Sequence, residues 1–370
     1  MLHIDGSYGE GGGMILRTSL ACSIILNVPI RITNIRKNRL NPGLAKQHCS
    51  ILKVFENLGC KINEYKVGTD IIEFIPNSHC FQNIKKINID IETAGSITLV
   101  LQAIVPVITM LAKDTVIITI KGGTNVDFSP PIQYFTNVLS KYLERMGIKI
   151  NTLVNSYSFY PSGMKKSDEP VIVTIEPNKL KGFNLSKHNK FNEFELEIVG
   201  STNLDKEKFD IIKKKIISEY NSYDVHFDDI FYLTYNPISK KSIESISTVI
   251  TCMPENKNDI ILYKNLLQTF KNNDEKTYYD IVFEILKTIS NFYDDCDCAD
   301  ELALDMYSAD QLLIFCFLAK YFKNEPSSYQ FKFDENDKHF DTNLEILKQF
   351  FPTIKYELTK INNFYSIQIF

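Results

Sequence analysis

The chain has 370 residues, 44% of them hydrophobic, and its 41 basic residues nearly balance 45 acidic ones, which gives a formal net charge of −4. This composition is typical of a folded protein of one or two domains, and it excludes a strongly basic nucleic-acid-binding chain. No run of about 18 apolar residues and no signal-peptide pattern is present, so we expect an intracellular protein with reduced cysteines and no membrane partner.

Arginine is rare and concentrated near the N terminus. Of the 41 basic residues only five are arginines, and four of them lie within the first 39 positions, namely Arg17, Arg31, Arg36 and Arg39. Planar guanidinium groups suit bidentate recognition of phosphate or carboxylate. The cluster therefore indicates an anion site, and the alternative is charge scattered over the surface at random.

The first predicted helix follows a glycine-rich stretch, GSYGEGGGMILRT at residues 6–18. This stretch is neither a P-loop nor a dinucleotide fingerprint, because Met14 stands where those motifs need other residues. The helix covers residues 14–26 and is followed by a strand over residues 30–35. Glycines at a helix start let the backbone approach an anion.

A repeat follows along the chain. Residues 41–63, NPGLAKQHCSILKVFENLGCKIN, superpose without a gap on residues 129–151, SPPIQYFTNVLSKYLERMGIKIN. In each copy a proline, Pro42 or Pro130, leads an amphipathic helix that stops at a glycine, Gly59 or Gly147. The second copy is preceded by a helix over residues 96–112 and a strand over residues 115–120. A third copy comprises helix 308–322, strand 329–333, helix 342–351 and strands 354–358 and 365–370.

These elements predict an α+β fold made of three repeated units with an inserted small α+β domain. Residues 1–182 and 281–370 form the large domain, in which sheets lie on one side and helices on the other. Residues 183–280 form the insert, which is rich in Lys, Asn, Asp and Tyr and contains a strand near 193–200, a helix over 206–220 and strands near 244–252 and 258–263.

The first helices of the three units begin with comparable turns. Each has a small or glycine-bearing turn and a carboxylate, which suits a nucleotide phosphate with its divalent cation; the turns are EGGGMILR (10–17), ETAGSITLVLQ (92–102) and YSADQ (307–311). Alternatively, Ser96, Ser308 and Asp310 only cap helices. Gln102 lies within an apolar run and needs a partner, which a ligand could supply.

The second helices are preceded by comparable loops at residues 38–43, 121–131 and 338–343. The last loop, KHFDTN, contains His339, one of only six histidines. A lone histidine is more often an ordinary surface or core residue, but an imidazole can attack phosphorus to give a covalent intermediate. His48, beside Gln47, could contact substrate or pack.

Six ordered motifs carry a family resemblance. They are DGSYGEGGGMILR (5–17), NIRKNRLNPGLAKQH (34–48), ETAGSITLVLQ (92–102), GGTNVDFSPP (122–131), YSADQ (307–311) and HFDTNLEILKQFFP (339–352). In these motifs the sequence resembles the RNA 3′-terminal phosphate cyclases, over the whole chain apart from the insert. The resemblance implies repeated βαβαββ units and an ATP-dependent conversion of an RNA 3′-phosphate to a 2′,3′-cyclic phosphate.

The resemblance also implies roles for residues. His339 attacks the α-phosphate of ATP to form a histidine–AMP adduct. Gln102 and the segment Tyr307, Ser308, Ala309, Asp310 and Gln311 match ATP-binding positions. Glu10 matches the carboxylate beside Mg²⁺ or Mn²⁺. Arg17, Arg36, Arg39 and Gln47 match contacts to phosphate or to the RNA end.

Three departures from the family pattern stand out. Met14 replaces a usual glutamine, Ser308 replaces a usual leucine, and FYPSGMKK (159–166) lacks a glycine-rich turn. The main alternative function is that of a non-catalytic cyclase-like factor in pre-rRNA processing and ribosome assembly, but such relatives lose the ETAGS segment and the histidine. A third possibility is an unrelated phosphate-transfer enzyme built on similar repeats.

Overall fold

The computed structural model describes residues 1–160, 169–177, 179–185, 191–200, 228–235, 243–254, 261–271, 283–288, 303–332, 338–361 and 364–370, with isolated positions between 207 and 291. These residues form several sheets covered by helices, so the predicted α+β class is confirmed. Most of the predicted helix over 206–220 and most of FYPSGMKK lie outside the described residues.

The first sheet is formed by residues near the N terminus. Its elements are β1 (Leu2–Asp5), α1 (Gly13–Leu26), β2 (Ile30–Thr33), α2 (Lys46–Asn57), β3 (Lys61–Ile62) and β4 (Ile72–Ile75). The strand order is β1-β2-β4-β3, in which β1 and β2 are parallel and the other pairs are antiparallel. The parallel step from β1 to β2 is made through α1, as a parallel connection requires.

The second sheet repeats this arrangement. The elements in this part of the chain are β5 (Lys86–Asp90), α3 (Ile97–Leu111), β6 (Val116–Lys121), β7 (Asn125–Val126), α4, β8 (Lys149–Val154), β9 (Phe159–Tyr160) and β10 (Val171–Glu176). Strands β7 and β9 form a separate parallel pair. Helix α4 joins an α-helical turn, Ile132–Tyr134, a π-helical segment, Phe135–Leu139, and an α-helical segment, Ser140–Arg145. The order is β5-β6-β10-β8, and again only the first pair is parallel.

A third set of strands lies between the second sheet and the C-terminal elements. It contains β11 (Phe191–Gly200), β12 (Asp228–Tyr235), β13 (Ile243–Pro254) and β14 (Leu262–Lys271). The order is β12-β11-β13-β14, with β11 and β12 parallel. Strand β14 begins at Leu262, later than the start of the strand predicted near 258–263.

The C-terminal elements form the last sheet. They are α5 (Met306–Lys323), β15 (Ser327–Lys332), α6 (His339–Phe350), β16 (Tyr356–Ile361) and β17 (Phe364–Ile369). The strands are antiparallel in the order β15-β17-β16, and an isolated parallel bridge joins Leu304 to Phe331 beside β15.

Three helix starts differ from those predicted. Helix α6 begins at His339, so this histidine lies in the first helical turn and the predicted loop over 338–343 is wrong. Pro42 and Pro130 lie before the helices, which begin at Lys46 and Ile132. The predicted helix ends are confirmed, because the residues after the C-caps of α2 and α4 are glycines with φ of +90° and +88°.

Helix α1 lies at the centre of the helical layer, where it packs against α3 and α6. Every residue from Met14 to Ile25 is buried, including Arg17 and Thr18. A helix buried all round places its polar side chains in the core, where each needs a hydrogen-bond partner. The partners of Arg17 and Thr18 define the site described next.

Candidate functional site

The turn before α1 folds the Glu10 carboxylate back against the backbone of Gly12. The side chain of Glu10 is 8% exposed. A Cβ atom at Gly12 would overlap both Glu10 carboxylate oxygens, so a larger residue there would displace the carboxylate from its position. The backbone of Glu10 is held as well, because its N–H donates to the Thr342 hydroxyl of α6 at 3.0 Å.

Glu10, Arg39 and His339 meet at this turn. The Arg39 guanidinium, from the turn between β2 and α2, forms a salt bridge with Oε2 of Glu10. Nε2 of His339, from the start of α6, lies 3.3 Å from Oε1 of Glu10. His339 and Arg39 are each 45% exposed, so one protected carboxylate lies between two groups that solvent and ligands can reach. Three segments that are distant in the sequence thus converge at one point.

One turn further into α1, the buried guanidinium of Arg17 contacts α3. Nε of Arg17 donates to Oε1 of Gln102 at 3.0 Å, so the partner that Gln102 needs in the apolar run is supplied by the protein. Burial lowers the pKa of Arg17 to about 10, and the carboxylates of Glu10 and Asp310 oppose that shift. The guanidinium is therefore a permanent positive charge at neutral pH in a region that excludes water.

Asn343 connects three helices behind this pair. Its Oδ1 accepts a hydrogen bond from the Thr18 hydroxyl of α1 at 2.9 Å. Its Nδ2 donates to the backbone carbonyl and to Oδ1 of Asp310, in α5, at 2.9 and 2.8 Å. The amide of Asn343 thereby fixes α1, α5 and α6 relative to one another.

A cavity lies between these helices. Its polar wall is formed by Arg17, Gln102, Asp310, Gln311 and Asn343, and α4 contributes apolar side chains. Met14 also lines the cavity and is 4% exposed. Three of the predicted ATP-binding residues, Gln102, Asp310 and Gln311, are therefore brought together.

The segment at the start of α5 presents its residues differently. Tyr307 is 49% exposed, and its ring lies edge-on to Tyr134 with centroids 6.4 Å apart. Ser308 and Ala309 are fully buried, and the Ser308 hydroxyl bonds to the carboxylate of Asp305. Asp305 caps α5, so the proposal that Ser308 caps this helix is wrong, whereas Ser96 does cap α3.

Arg36 and Gln47 lie around α2. Nη1 of Arg36 donates to the Gly43 carbonyl at 2.8 Å, and burial together with the charge of Arg39 lowers the pKa of Arg36. Oε1 of Gln47 accepts from the backbone N–H of Ser96 at 3.3 Å, which links α2 to the start of α3. Both side chains hold the loops that border the site.

Glu10 offers a carboxylate that is suited to a divalent cation. The described residues contain no cluster of three or more His, Cys, Asp or Glu side chains that could hold a metal ion without a further ligand. This donor set fits Mg²⁺, which proteins bind with one or two carboxylates while the substrate phosphates supply further oxygens. A metal here would therefore depend on a phosphate ligand.

Sequence reasoning did not single out Thr342 and Asn343 as site residues, and it left His48 undecided. The first two lie in the HFDTN motif, in which the residue types point to a chemical role only for the histidine. The available signal was their spacing, three and four residues after His339, which places them beside it on a helix. No helix in the described parts of the chain is long and apolar enough to cross a membrane.

Buried and exposed cations around one carboxylate, next to a histidine and a glycine-rich helix start, are the kinds of groups with which proteins bind phosphate. The model of the RNA 3′-terminal phosphate cyclase family matches residues 8–356, and the chain belongs to this family. It is 47% identical over 163 residues to the RNA 3′-terminal phosphate cyclase of Thermococcus kodakarensis, which covers 44% of this chain and 46% of that protein.

Other relatives give the same result. The cyclase of Pyrococcus furiosus is 46% identical over 166 residues, which is 44% of this chain and 47% of that protein. The cyclase of Methanosarcina mazei is 39% identical over 203 residues, which is 54% of this chain and 55% of that protein. The chain thus spans about half the length of the curated relatives it matches.

Proposed function

We propose that this chain is an ATP-dependent RNA 3′-terminal phosphate cyclase that acts through a covalent histidine–AMP intermediate. The observation that carries the proposal is the convergence of His339, Glu10 and Arg39 at the start of α1. A nucleophile, a carboxylate and a cation at one point are the groups that nucleotidyl transfer requires. The relatives named for this activity support the assignment.

The proposed reaction has three steps. A ring nitrogen of neutral His339 forms a bond to the α-phosphorus of ATP while the bond to pyrophosphate breaks. An oxygen of the RNA 3′-phosphate then attacks the adenylyl phosphorus and displaces the histidine. Finally, the neighbouring 2′-hydroxyl attacks the activated 3′-phosphorus, loses its proton and expels AMP, which closes the cyclic phosphate. The histidine is regenerated for the next cycle.

Glu10 is the proposed ligand of Mg²⁺ or Mn²⁺. A divalent cation there would neutralise charge on the phosphates of ATP. Because Nε2 of His339 lies 3.3 Å from Glu10, a competing partner for the carboxylate would leave that nitrogen available to attack phosphorus. Arg17, Arg36, Arg39 and Gln47 are the proposed contacts to the phosphates and to the RNA end.

ATP is the proposed nucleotide, held by residues of α3 and α5. Gln102, Asp310 and Gln311 offer side-chain atoms at the cavity between the helices. The exposed ring of Tyr307 offers a surface on which a base can stack. Ser308 and Ala309, whose side chains are buried, would shape the turn that presents Tyr307.

We also propose that the chain is built from three repeated βαβαββ units with an inserted domain at residues 183–280. The shared strand order of the first two sheets supports this, as does the parallel bridge beside β15, which corresponds to the first strand pair of those sheets. The large domain would then comprise residues 1–182 and 281–370. The proposed partner is an RNA with a 3′-phosphate end, processed in the nucleus or the cytoplasm.

Incubation with α-labelled ATP and Mg²⁺ or Mn²⁺ tests the proposal. We expect the protein to become labelled, and we expect His339→Ala to abolish the label while His79→Ala, at an exposed position away from the site, retains it. The labelled protein should convert an RNA 3′-phosphate to a cyclic end. A wild type that neither labels nor cyclises would overturn the proposal and favour the non-catalytic assembly factor.

A further inference from the structure

His48 carries a buried ring nitrogen that has no hydrogen-bond partner among the described residues. The side chain is 1% exposed and lies in the first turn of α2. Buried polar atoms in proteins are nearly always hydrogen-bonded, so an unpaired ring nitrogen in the core needs a physical reason. The neighbours of this nitrogen supply one.

The hydrogen bonds of His48 fix which nitrogen carries the proton. The backbone N–H of Ala45 donates to Nδ1 of His48 at 2.9 Å, so Nδ1 is an acceptor and must lack a proton. Burial, together with the charges of Arg17 and Arg36, holds the pKa of His48 well below its usual value, and the ring is neutral. A neutral imidazole that accepts at Nδ1 carries its proton at Nε2. The atom without a partner is therefore a donor.

This donor lies beside the start of α1. A Cβ atom built on Gly13 would be 2.6 Å from Nε2 of His48 and 2.8 Å from Nη1 of Arg17. Both donors thus pack against Gly13, the first residue of α1. A helix N-terminus, a guanidinium and an imidazole N–H converging in a region that excludes water favour an anionic oxygen.

We propose that His48 is a binding residue whose Nε2–H donates a hydrogen bond to a phosphoryl oxygen held at the start of α1. The phosphoryl group belongs either to ATP or to the 3′-end of the RNA, and the chemistry at His48 is the same in both cases. The inference rests on the proposed function for the identity of these substrates. It extends that function by one residue, a neutral donor next to the charged ones.

Two substitutions separate the donor from the acceptor. His48→Asn retains an oxygen near the position of Nδ1, which can accept from Ala45, but loses the donor at Nε2. His48→Gln retains a donor near Nε2 and loses the acceptor near Nδ1. A purely structural histidine would make the two variants fail together or would make the Asn variant the milder one in every assay.

Kinetics with the two variants identify the source of the phosphoryl group. We expect His48→Asn to raise KM about 10- to 100-fold, the range for losing a hydrogen bond to a charged group, while His48→Gln stays within about threefold of the wild type. A raised KM for ATP in self-labelling assigns the oxygen to ATP, and a raised KM for 3′-phosphorylated RNA at saturating ATP assigns it to the RNA. Equal effects of the two variants on both KM values would overturn the proposal.

A direct measurement keeps the proposal testable if the enzyme proves inactive. In wild-type protein labelled with ¹⁵N-histidine, the His48 resonances, assigned by their loss in His48→Gln, should show a proton on Nε2 and none on Nδ1. Titration with inorganic phosphate should shift the Nε2–H resonance and leave His79 unchanged. A proton on Nδ1, or an Nε2–H resonance that phosphate does not move, would refute the donor role whether or not the chain cyclises RNA.

Discussion

Asn343→Leu tests whether one amide holds the helices around the site together. Leucine has a similar volume, so the change removes three hydrogen bonds and leaves little empty space. One lost bond, from Thr18, is between neutral groups, and one of the two to Asp310 involves its carboxylate. A neutral hydrogen bond contributes about 1 kcal/mol and one to a charged group about 1.5–3 kcal/mol, so we expect the free energy of unfolding to fall by about 3.5–5 kcal/mol.

Urea unfolding followed by far-ultraviolet circular dichroism measures this loss, because the chain has no tryptophan for fluorescence. Asn57→Ala, at an exposed position on α2, is the control and should change the unfolding free energy by less than about 0.5 kcal/mol. Combining Asn343→Leu with Thr18→Val should show a coupling of about 1 kcal/mol, since each change removes the partner of the other. A loss below about 1 kcal/mol for Asn343→Leu would refute the role of the amide as the connection between α1, α5 and α6.

Two further predictions concern the contact between α1 and α2. Gly13→Ala places a Cβ atom 2.6 Å from the His48 ring and 2.8 Å from Arg17. We therefore expect the free energy of unfolding in urea to fall by about 1–3 kcal/mol and labelling by ATP to weaken. Unchanged values would mean that these two side chains move away freely. The pKa of His48 is depressed by burial and by Arg17 and Arg36, so the unfolded chain takes up a proton below pH 6.5 that the folded chain does not. The free energy of unfolding should therefore fall as the pH drops below about 6.5, by up to about 1.4 kcal/mol per pH unit. In unfolding experiments between about pH 7 and pH 5, His48→Gln should reduce this slope. Equal slopes for the variant and the wild type would contradict the assigned burial of His48.

The helices with strong local signals could be predicted from the sequence. Gly59 and Gly147 end α2 and α4 because a left-handed residue stops a helix whatever surrounds it. The start of α6 could not be read in the same way. Its N-cap, Lys338, makes no side-chain capping bond in the described structure, so the polar stretch KHFDTN looked like a loop. Packing of Phe340 and Leu344 into the core makes it helical.

The site was predictable in its residue types but not in its pairings. The position of Gln102 in an apolar run required a buried partner, yet only the fold shows that Arg17 provides it rather than a ligand. The two residues are 85 positions apart, and nothing local links them. The same holds for Thr18 and Asn343, which are 325 positions apart. Pairing across helices is decided by tertiary packing, which spacing along a sequence does not encode.

The presence of methionine at position 14 is compatible with those hydrogen-bond pairs. It lines the cavity beside Arg17 and Gln102 and is buried, and the two neighbouring polar residues of α1, Arg17 and Thr18, already use Gln102 and Asn343 as partners. A glutamine at this position would bring a further buried amide that needs partners of its own, whereas a thioether fills the space without that requirement. The substitution therefore removes one polar group from the wall of the cavity while Arg17 and Asp310 remain in place. The hydrogen bonds of Arg17 with Gln102 and of Thr18 with Asn343 do not involve the side chain at position 14.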